Sequence, residues 1–179
     1  MIARSHWRRR LLRGAPLPAL RSWLLETGSL TARCQRMATT FRVRLLTYRL
    51  GKPLPDEAAW LGPAHLPAHV REVLLECDGV PVIFAHTMLS TAGHGRLSRW
   101  LARLGNRSLG SLLFTHPGFQ RGPLEFIRVD RRHPLFARAV SAAALNDPPA
   151  ELWARRSVHA LDGQAVLVTE VFLPAILAH

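Results

Sequence analysis

The sequence is poor in lysine and cysteine, and it has no long apolar run. Lys52 is the only lysine, so the other 23 of the 24 basic residues are arginines. The two cysteines, Cys34 and Cys77, have no CxxC spacing, which argues against a disulfide framework or a cysteine zinc site. No apolar stretch reaches the roughly 18 residues that a membrane helix needs. These absences favour a cytoplasmic protein without a membrane span.

Acidic residues are absent from the first 25 positions, and Glu26 is the first of them. Arginines crowd residues 8–13, but no adequate apolar stretch follows before Pro16, so the segment lacks the pattern of a secretory signal. The same composition occurs in transit peptides, which stay open as an alternative. We expect residues 1–13 to be a basic, mobile lead-in to a single domain that spans residues 1–179.

Signatures of several catalytic and cofactor sites are also missing. Ser111 follows Gly110 but lacks the GxSxG context of a nucleophile elbow, and no glycine-rich loop is present to hold phosphates. His65 and His69 have the spacing of helical metal ligands, but Pro67 lies between them and no carboxylate–histidine pattern completes a site. We therefore expect no metal and no cofactor.

Two segments have the pattern of a β-hairpin, because an Asp-Gly pair separates two apolar runs in each. Asp-Gly favours a two-residue turn in which both residues take positive φ. In chain order, the strand, turn and strand are 70–77, Asp78-Gly79 and 80–89, and then 152–161, Asp162-Gly163 and 164–173. Both segments are predicted to be antiparallel pairs.

Shorter elements fill the rest of the chain. Helices are predicted for residues 20–26, 29–37 with Ser29 as cap, 95–104 and 109–114, and strands for 39–50 and 124–131, with a proline-rich loop over 52–67. Hairpins with few helices between them favour an α+β fold. The prediction is a single antiparallel β-sheet with helices packed on one face.

Two charged residues lie where strand alternation predicts an apolar face. Successive side chains point to opposite faces of a strand, so Arg71 shares its face with apolar residues at positions 73, 75 and 77. Glu170 shares its face with apolar residues at positions 166, 168 and 172. A lone buried charge is costly. Each charge therefore needs a partner, which is the other charge, a ligand, or water at the end of a strand.

The net charge of +12 and the pI of about 11.6 favour anionic partners, although a GC-rich coding sequence produces the same excess of arginine. The planar fork of arginine binds carboxylates and phosphates through two parallel hydrogen bonds. A nucleic-acid binder needs a docking element, or aromatic residues interleaved with basic ones. Neither accompanies the pairs Arg131-Arg132 and Arg155-Arg156, which are interpreted as solvated surface.

Several phrases between residues 16 and 174 resemble the chorismate pyruvate-lyase family in their order and spacing. They are WLLE at 23–26, SLT at 29–31, REVLL at 71–75, SLG at 108–110, LFT at 113–115, WARRS at 153–157 and LVTEVFLP at 167–174. The last phrase is the most specific. The resemblance implies an antiparallel sheet with an enclosed ligand site beneath helical flaps, near residues 28–38 and 90–112.

The resemblance also implies a set of site residues. The essential arginine of the family falls on Arg71 and its acidic residue on Glu170, and both are expected to be catalytic and to bind ligand. Leu30 and Leu109 fall on two further positions that bind ligand chiefly through backbone N–H groups. The first of these is typically Met in the family. The role of Glu170 as acid, base or hydrogen-bond partner stays open at this point.

The implied reaction is the elimination of pyruvate from chorismate to give 4-hydroxybenzoate, the first step of bacterial ubiquinone biosynthesis. The expected partners are this substrate and its products, and the expected protein is a cytoplasmic monomer that binds no nucleic acid. A non-enzymatic module of the same fold that binds an aromatic carboxylate is the alternative. Such modules follow a DNA-binding domain in bacterial regulators, and about 15 residues precede the matching region here.

Overall fold

A computed structural model of the chain describes residues 7–11, 17–61, 67–91 and 95–179. These residues form six α-helices, seven β-strands and a 3₁₀-helix at Pro174–Ala178. The helices are α1 (Pro18–Leu24), α2 (Leu30–Met37), α3 (Ala58–Leu61), α4 (Arg96–Arg103), α5 (Leu109–Phe114) and α6 (Pro134–Ala142). The strands are β1 (Phe41–Gly51), β2 (Ala68–Cys77), β3 (Val80–Ser90), β4 (Gln120–Arg121), β5 (Glu125–Asp130), β6 (Glu151–Leu161) and β7 (Gln164–Phe172).

Both predicted hairpins are confirmed. Strands β2 and β3 are joined at Asp78 and Gly79, whose φ angles are 49° and 81°, and β6 and β7 are joined at Asp162 and Gly163, with φ angles of 51° and 75°. Four positive φ angles at two Asp-Gly pairs are the backbone geometry of type I′ turns. The turns fix the register of each hairpin, and therefore decide which side chains share a face.

The strands form one antiparallel sheet in the order β1-β2-β3-β7-β6-β4, and β5 also pairs with β6. The two hairpins lie side by side, because β3 pairs with β7 through Ala85 opposite Glu170 and Thr87 opposite Val168. The α+β class with a single antiparallel sheet is thus confirmed. The pairing of β3 with β7 brings the strand that follows Arg71 next to the strand that carries Glu170.

Helices cover both faces of the sheet. On the face that carries Val73 and Leu75, α1 and α2 pack against β2 and β3, while α4 and α5 pack farther along the same face. The sequence predicted helices on one face, but α6 packs on the opposite face through Leu135 and Phe136. Leu74 lies on this opposite face of β2 and is fully buried, so the face is apolar and has to be covered by another element.

The amino-terminal segment is attached to the sheet where the structure describes it. Arg8 exchanges two backbone hydrogen bonds with Phe126, of 3.0 and 2.8 Å. Next to it, Trp7 Nε1 donates to Asp56 Oδ2 at 2.6 Å. Trp7 and Arg8 of the lead-in predicted to be mobile therefore have defined contacts, and residues 1–6 and 12–13 lie outside the described residues.

Candidate active site

A cavity lies between the sheet and the short helices α2 and α5. Inward-facing residues of β2, β3, β6 and β7 form its floor, and residues 28–31 and 108–114 form its roof. All four residues that the sequence singled out, Arg71, Glu170, Leu30 and Leu109, line this one cavity. The fold therefore brings together residues that are as much as 140 positions apart in the chain.

The roof is built from two helix starts. Ser29 and Ser108 cap α2 and α5, and each hydroxyl accepts a hydrogen bond of 3.3 Å from the backbone N–H three residues on. Leu30 and Leu109 are the first residues of these helices, so their N–H groups have no partner within the helix. The hydroxyls of Thr31 and Ser108 lie 2.6 Å apart and join the two helices over the cavity.

Arg71 is a buried cation at one end of the cavity, with 3% of its surface exposed. Its Nη2 donates to the carbonyl oxygens of Gly105 and Arg107, at 2.9 and 2.7 Å, in the loop between α4 and α5. Its Nε is buried and has no hydrogen-bond partner in the part of the chain that the structure describes. Burial lowers the pKa of Arg71 to about 10, so the side chain is still charged at neutral pH.

Glu170 makes an ion pair with Arg155. The two residues face each other across β6 and β7, and Arg155 Nε lies 2.6 Å from Glu170 Oε2. The sequence left open a pairing of Glu170 with Arg71, but the partner is Arg155, whereas Arg71 uses loop carbonyls. Arg71 and Glu170 therefore have different partners, and both line the cavity.

Arg155 also corrects the interpretation of Arg155-Arg156 as solvated surface, because the two arginines are 1% and 5% exposed. Arg155 Nη1 donates to the carbonyls of Trp23, Leu24 and Glu26, at 3.3, 3.2 and 2.6 Å, at the end of α1. Arg156 points to the other face. Strand β6 is covered on both faces, so two neighbouring arginines on it are both buried. The alternation of apolar residues on both faces of β6 is the sequence pattern that could have predicted this burial.

A second group of polar residues lies at the far end of the floor. Arg121 Nε donates to Ser157 Oγ at 3.1 Å, and Ser157 Oγ lies 2.9 Å from His159 Nε2. Arg121 Nη1 donates to the carbonyl of Thr27 at 2.8 Å, just before the roof. Arg121 and His159 line the cavity. Nothing in the sequence pattern singled them out, because a lone arginine on a two-residue strand carries no periodicity.

The chorismate lyase family matches residues 1–179. The chain belongs to the chorismate lyase family. It is 62% identical over 175 residues to a probable chorismate pyruvate-lyase of Dechloromonas aromatica, with 98% of each chain covered. It is also 45% identical to the protein of the same description from Aromatoleum aromaticum, covering 96% of this chain and 93% of that one.

Solved structures with a similar fold include the effector domain of PhnF from Mycobacterium smegmatis. That structure has a TM-score of 0.55 at 18% identity and covers 84% of this chain and 91% of its own. The C-terminal domain of the histidine utilization repressor from Pseudomonas syringae has a TM-score of 0.51 at 8% identity, covering 76% and 93%. At such identities the likeness shows only the fold of this chorismate lyase family member. Its function has to be argued from the residues of the site.

Strand spacing sets the distance between the two ends of the site in this chorismate lyase family member. Arg71 on β2 pairs with Thr87 on β3, and Thr87 pairs with Val168 on β7, two residues before Glu170. Two strand spacings put the Cα atoms of Arg71 and Glu170 about 10 Å apart across the sheet, and two residues add about 7 Å along it. Side chains that converge from this spacing can hold one six-membered ring between them.

The possible metal ligands from the sequence do not form a site that the structure describes. His65 lies outside the described residues, and His69 Nδ1 is 3.3 Å from the hydroxyl of Tyr48. No group of three histidine, cysteine, aspartate or glutamate residues that could hold a metal ion occurs among residues 7–11, 17–61, 67–91 and 95–179. Within the same residues, no helix is long and apolar enough to cross a membrane.

Proposed function

We propose that the protein eliminates pyruvate from chorismate and releases 4-hydroxybenzoate. The observation that carries the proposal is a single cavity, in a chain of the chorismate lyase family, that has Arg71 at one end and the Glu170–Arg155 pair beside it. Chorismate is a dianion, and the cavity is lined by more positive than negative side chains. The relatives from Dechloromonas and Aromatoleum carry the same activity in their names.

The ring carboxylate is assigned to the Arg71 end. The unpartnered Nε of Arg71 is a charged donor in a buried place, where it gains most from an anion. The backbone N–H groups of Leu30 and Leu109, at the starts of α2 and α5, add two neutral donors from the roof. Because these contacts come from the main chain, leucine at position 30 can replace the methionine that is typical of the family there.

Glu170 is assigned to the hydroxyl-bearing end of the ring. A carboxylate that is ion-paired with Arg155 accepts hydrogen bonds and protons, so Glu170 is suited to receive the proton from the ring carbon that carries the hydroxyl. As that C–H bond breaks, the ether C–O bond at the neighbouring carbon breaks too. The ring becomes aromatic, and the enolate that leaves takes up a proton on carbon to become pyruvate.

The residues of the cavity are sufficient for this elimination. No electrons are exchanged with a carrier, and the gain in aromatic stabilisation drives the reaction forward. The protein has to hold one conformer, pair the carboxylates and place a base. We therefore propose a reaction that uses no cofactor, by a monomer in the cytoplasm that binds no nucleic acid and supplies the first step of ubiquinone biosynthesis.

The test is an assay with purified protein and chorismate. Pyruvate and 4-hydroxybenzoate should appear in equal amounts, followed by a coupled dehydrogenase for pyruvate and by absorbance for the aromatic product. The likeness to effector domains keeps a non-enzymatic module for aromatic carboxylates as the second candidate. Tight binding of 4-hydroxybenzoate with no pyruvate formed would support that module and reject the enzyme. Size-exclusion chromatography with light scattering tests the monomer.

A further inference from the structure

Arg121 and His159 lie at the end of the cavity that the proposed contacts to the ring carboxylate and hydroxyl do not use. Arg121 on β4 is paired with His159 on β6. Ser157, two residues before His159, lies in one row with Val168, Thr87 and Arg71 across four neighbouring strands. Three strand spacings put Ser157 about 14 Å from Arg71, measured across the sheet. The cavity therefore has cations at two separate ends.

The hydrogen bonds at this end leave one ring nitrogen of His159 without a partner among the described residues. Ser157 Oγ accepts a hydrogen bond from Arg121 Nε at 3.1 Å, and its own proton is then free to be donated to His159 Nε2, 2.9 Å away. With Nε2 as acceptor, the hydrogen of the neutral ring is on Nδ1. His159 is 5% exposed, and its Nδ1 is buried without a hydrogen-bond partner among the described residues. A buried N–H without a partner is available to donate a hydrogen bond to a ligand.

The electrostatics of the cavity favour a second anion. Its lining contains three arginines, at positions 71, 121 and 155, against the single glutamate Glu170, which leaves two positive charges. Burial, followed by the charges of Arg121 and Arg155, lowers the pKa of His159 to about 3, so its ring is neutral at physiological pH. Burial and then the charge of Arg155 lower the pKa of Arg121. Burial is the larger cause of both shifts, and the neighbouring arginines add a smaller electrostatic contribution that a bound anion would offset.

We propose that Arg121 and His159 form a second anion subsite, which takes the carboxylate of the enolpyruvyl arm of chorismate. The inference rests on the proposed function for the identity of the ligand. A dianion with carboxylates on the ring and on the ether arm matches the two positive charges and the two separated ends. The product 4-hydroxybenzoate has one carboxylate and leaves the subsite empty, so Arg121 distinguishes substrate from product whereas Arg71 binds both.

The test compares substrate turnover with product affinity in one variant. In Arg121→Gln, kcat/KM for chorismate should fall by about 30-fold or more, because a hydrogen bond to a charged group is lost. The Kd for 4-hydroxybenzoate, measured by calorimetry, should change by less than about 3-fold. Arg121→Lys should recover part of the loss, and thermal melting checks that the fold is kept. Arg128→Gln is the matched control, because Arg128 lies on β5 in an exposed pair with Glu151.

A binding assay without turnover separates the subsite from the reaction. The probe is 3-(carboxymethoxy)-4-hydroxybenzoate, a stable aromatic dianion that keeps the ether oxygen and a second carboxylate. Its affinity should fall in Arg121→Gln and in His159→Phe, with 4-hydroxybenzoate affinity retained in both. If the wild type binds the probe in this way but makes no pyruvate, the proposed function fails and the anion subsite stands. If the wild type converts chorismate and the variants change neither assay, or change both ligands equally, the subsite is rejected.

Discussion

Arg155 and Glu170 face each other across β6 and β7, with 2.6 Å between Arg155 Nε and Glu170 Oε2. The other arm of the same guanidinium holds three carbonyl oxygens at the end of α1. One side chain thus links the carboxylate of the site to the helix that precedes the roof. Arg155 is 1% exposed, so it makes both sets of contacts from a buried position.

We predict that Arg155→Met destabilises the fold strongly. Met has a similar length but leaves Glu170 as an unpaired charge and the α1 carbonyls without donors, so the free energy of unfolding should fall by about 3–5 kcal/mol. Urea denaturation measures it. Arg128→Met is the control, since its ion pair with Glu151 is exposed and is worth less than about 1 kcal/mol. Equal losses in the two variants would contradict the buried-pair argument.

Arg71 should be needed for ligand affinity and only weakly replaceable by lysine. Its Nη2 is used by the carbonyls of Gly105 and Arg107, so a second nitrogen has to reach the ligand. We expect Arg71→Ala to weaken 4-hydroxybenzoate binding by about 100-fold, as for a charged hydrogen bond in a buried place. Arg71→Lys should recover little, because one ammonium group cannot bind the loop carbonyls and the ligand carboxylate at the same time. Calorimetry measures both. Wild-type affinity in Arg71→Ala would remove Arg71 from the site, and wild-type affinity in Arg71→Lys would contradict the need for two nitrogens.

Strand alternation was sufficient to find Arg71 and Glu170, because each is a single charge on an otherwise apolar face. Their partners could not be predicted in the same way. Glu170 meets Arg155 because β7 pairs with β6, and Arg71 meets carbonyls because the loop after α4 folds over β2. Strand order and loop paths depend on packing between distant segments, which no local pattern contains.

Helix α6 has local sequence signals that are sufficient to predict it, although it is not among the helices expected from the sequence. Helix α6 begins with His133 as a side-chain cap, which accepts from the N–H of Leu135, and has Pro134 at its first position. Proline at that place is a recognised start of a helix. The two-residue strand β4, in contrast, has no periodicity to detect, so Arg121 could be found only after the fold was known.

The hydrogen bond between Thr31 and Ser108 should slow product release, because it joins the two helices that form the roof. Thr31→Val keeps the shape and removes about 1 kcal/mol of hydrogen bonding, so 4-hydroxybenzoate should leave about 5-fold faster. In the wild type we expect a pre-steady-state burst of product, which the variant should reduce. Stopped-flow measurements test this, with Thr115→Val as control because its hydroxyl bonds to carbonyls of its own helix. A linear onset in the wild type would contradict it.

His86 lies between two glutamates on the face opposite the cavity. Its Nδ1 is 2.8 Å from Glu72 Oε1. The 3.2 Å approach of Nε2 to Glu57 Oε1 is a contact of charges and not a well-aligned hydrogen bond. Burial acts to lower the pKa of His86, but the two neighbouring carboxylates of Glu57 and Glu72 outweigh it and raise the pKa above 6.5. The charged form is thus favoured in the folded state.

This shift predicts a loss of stability towards alkaline pH. A histidine whose folded pKa is raised stabilises fully below its unfolded pKa of about 6.5, and its contribution is lost as pH rises through the folded pKa. Urea unfolding between about pH 6 and pH 9 should show this decline. His86→Gln should flatten it. Glu72 does not interfere, because its pKa is lowered from 4.5 and it stays ionised in this range. An equal slope in the variant would assign the decline to other groups.

Glu170→Gln separates three roles of the acidic residue. The amide keeps the shape of the side chain and can still accept the hydrogen bond from Arg155, so the packing loss should be small. It cannot take a proton. If Glu170 is the base, single-turnover rates should fall by about 100-fold or more. If Glu170 only positions the hydroxyl, the rate should change far less and 4-hydroxybenzoate affinity should shift modestly.

The third role is that of a counter-ion for Arg155, and it has a different signature. In that case the apo protein should lose roughly 3 kcal/mol or more of stability, while turnover per folded molecule stays normal. Glu151→Gln is the matched control, because it makes the same chemical change in an exposed pair with Arg128. We expect the large loss in rate with a smaller loss in melting temperature, because Arg155 keeps its three carbonyl acceptors in the variant. Wild-type turnover in Glu170→Gln would remove the carboxylate from the mechanism.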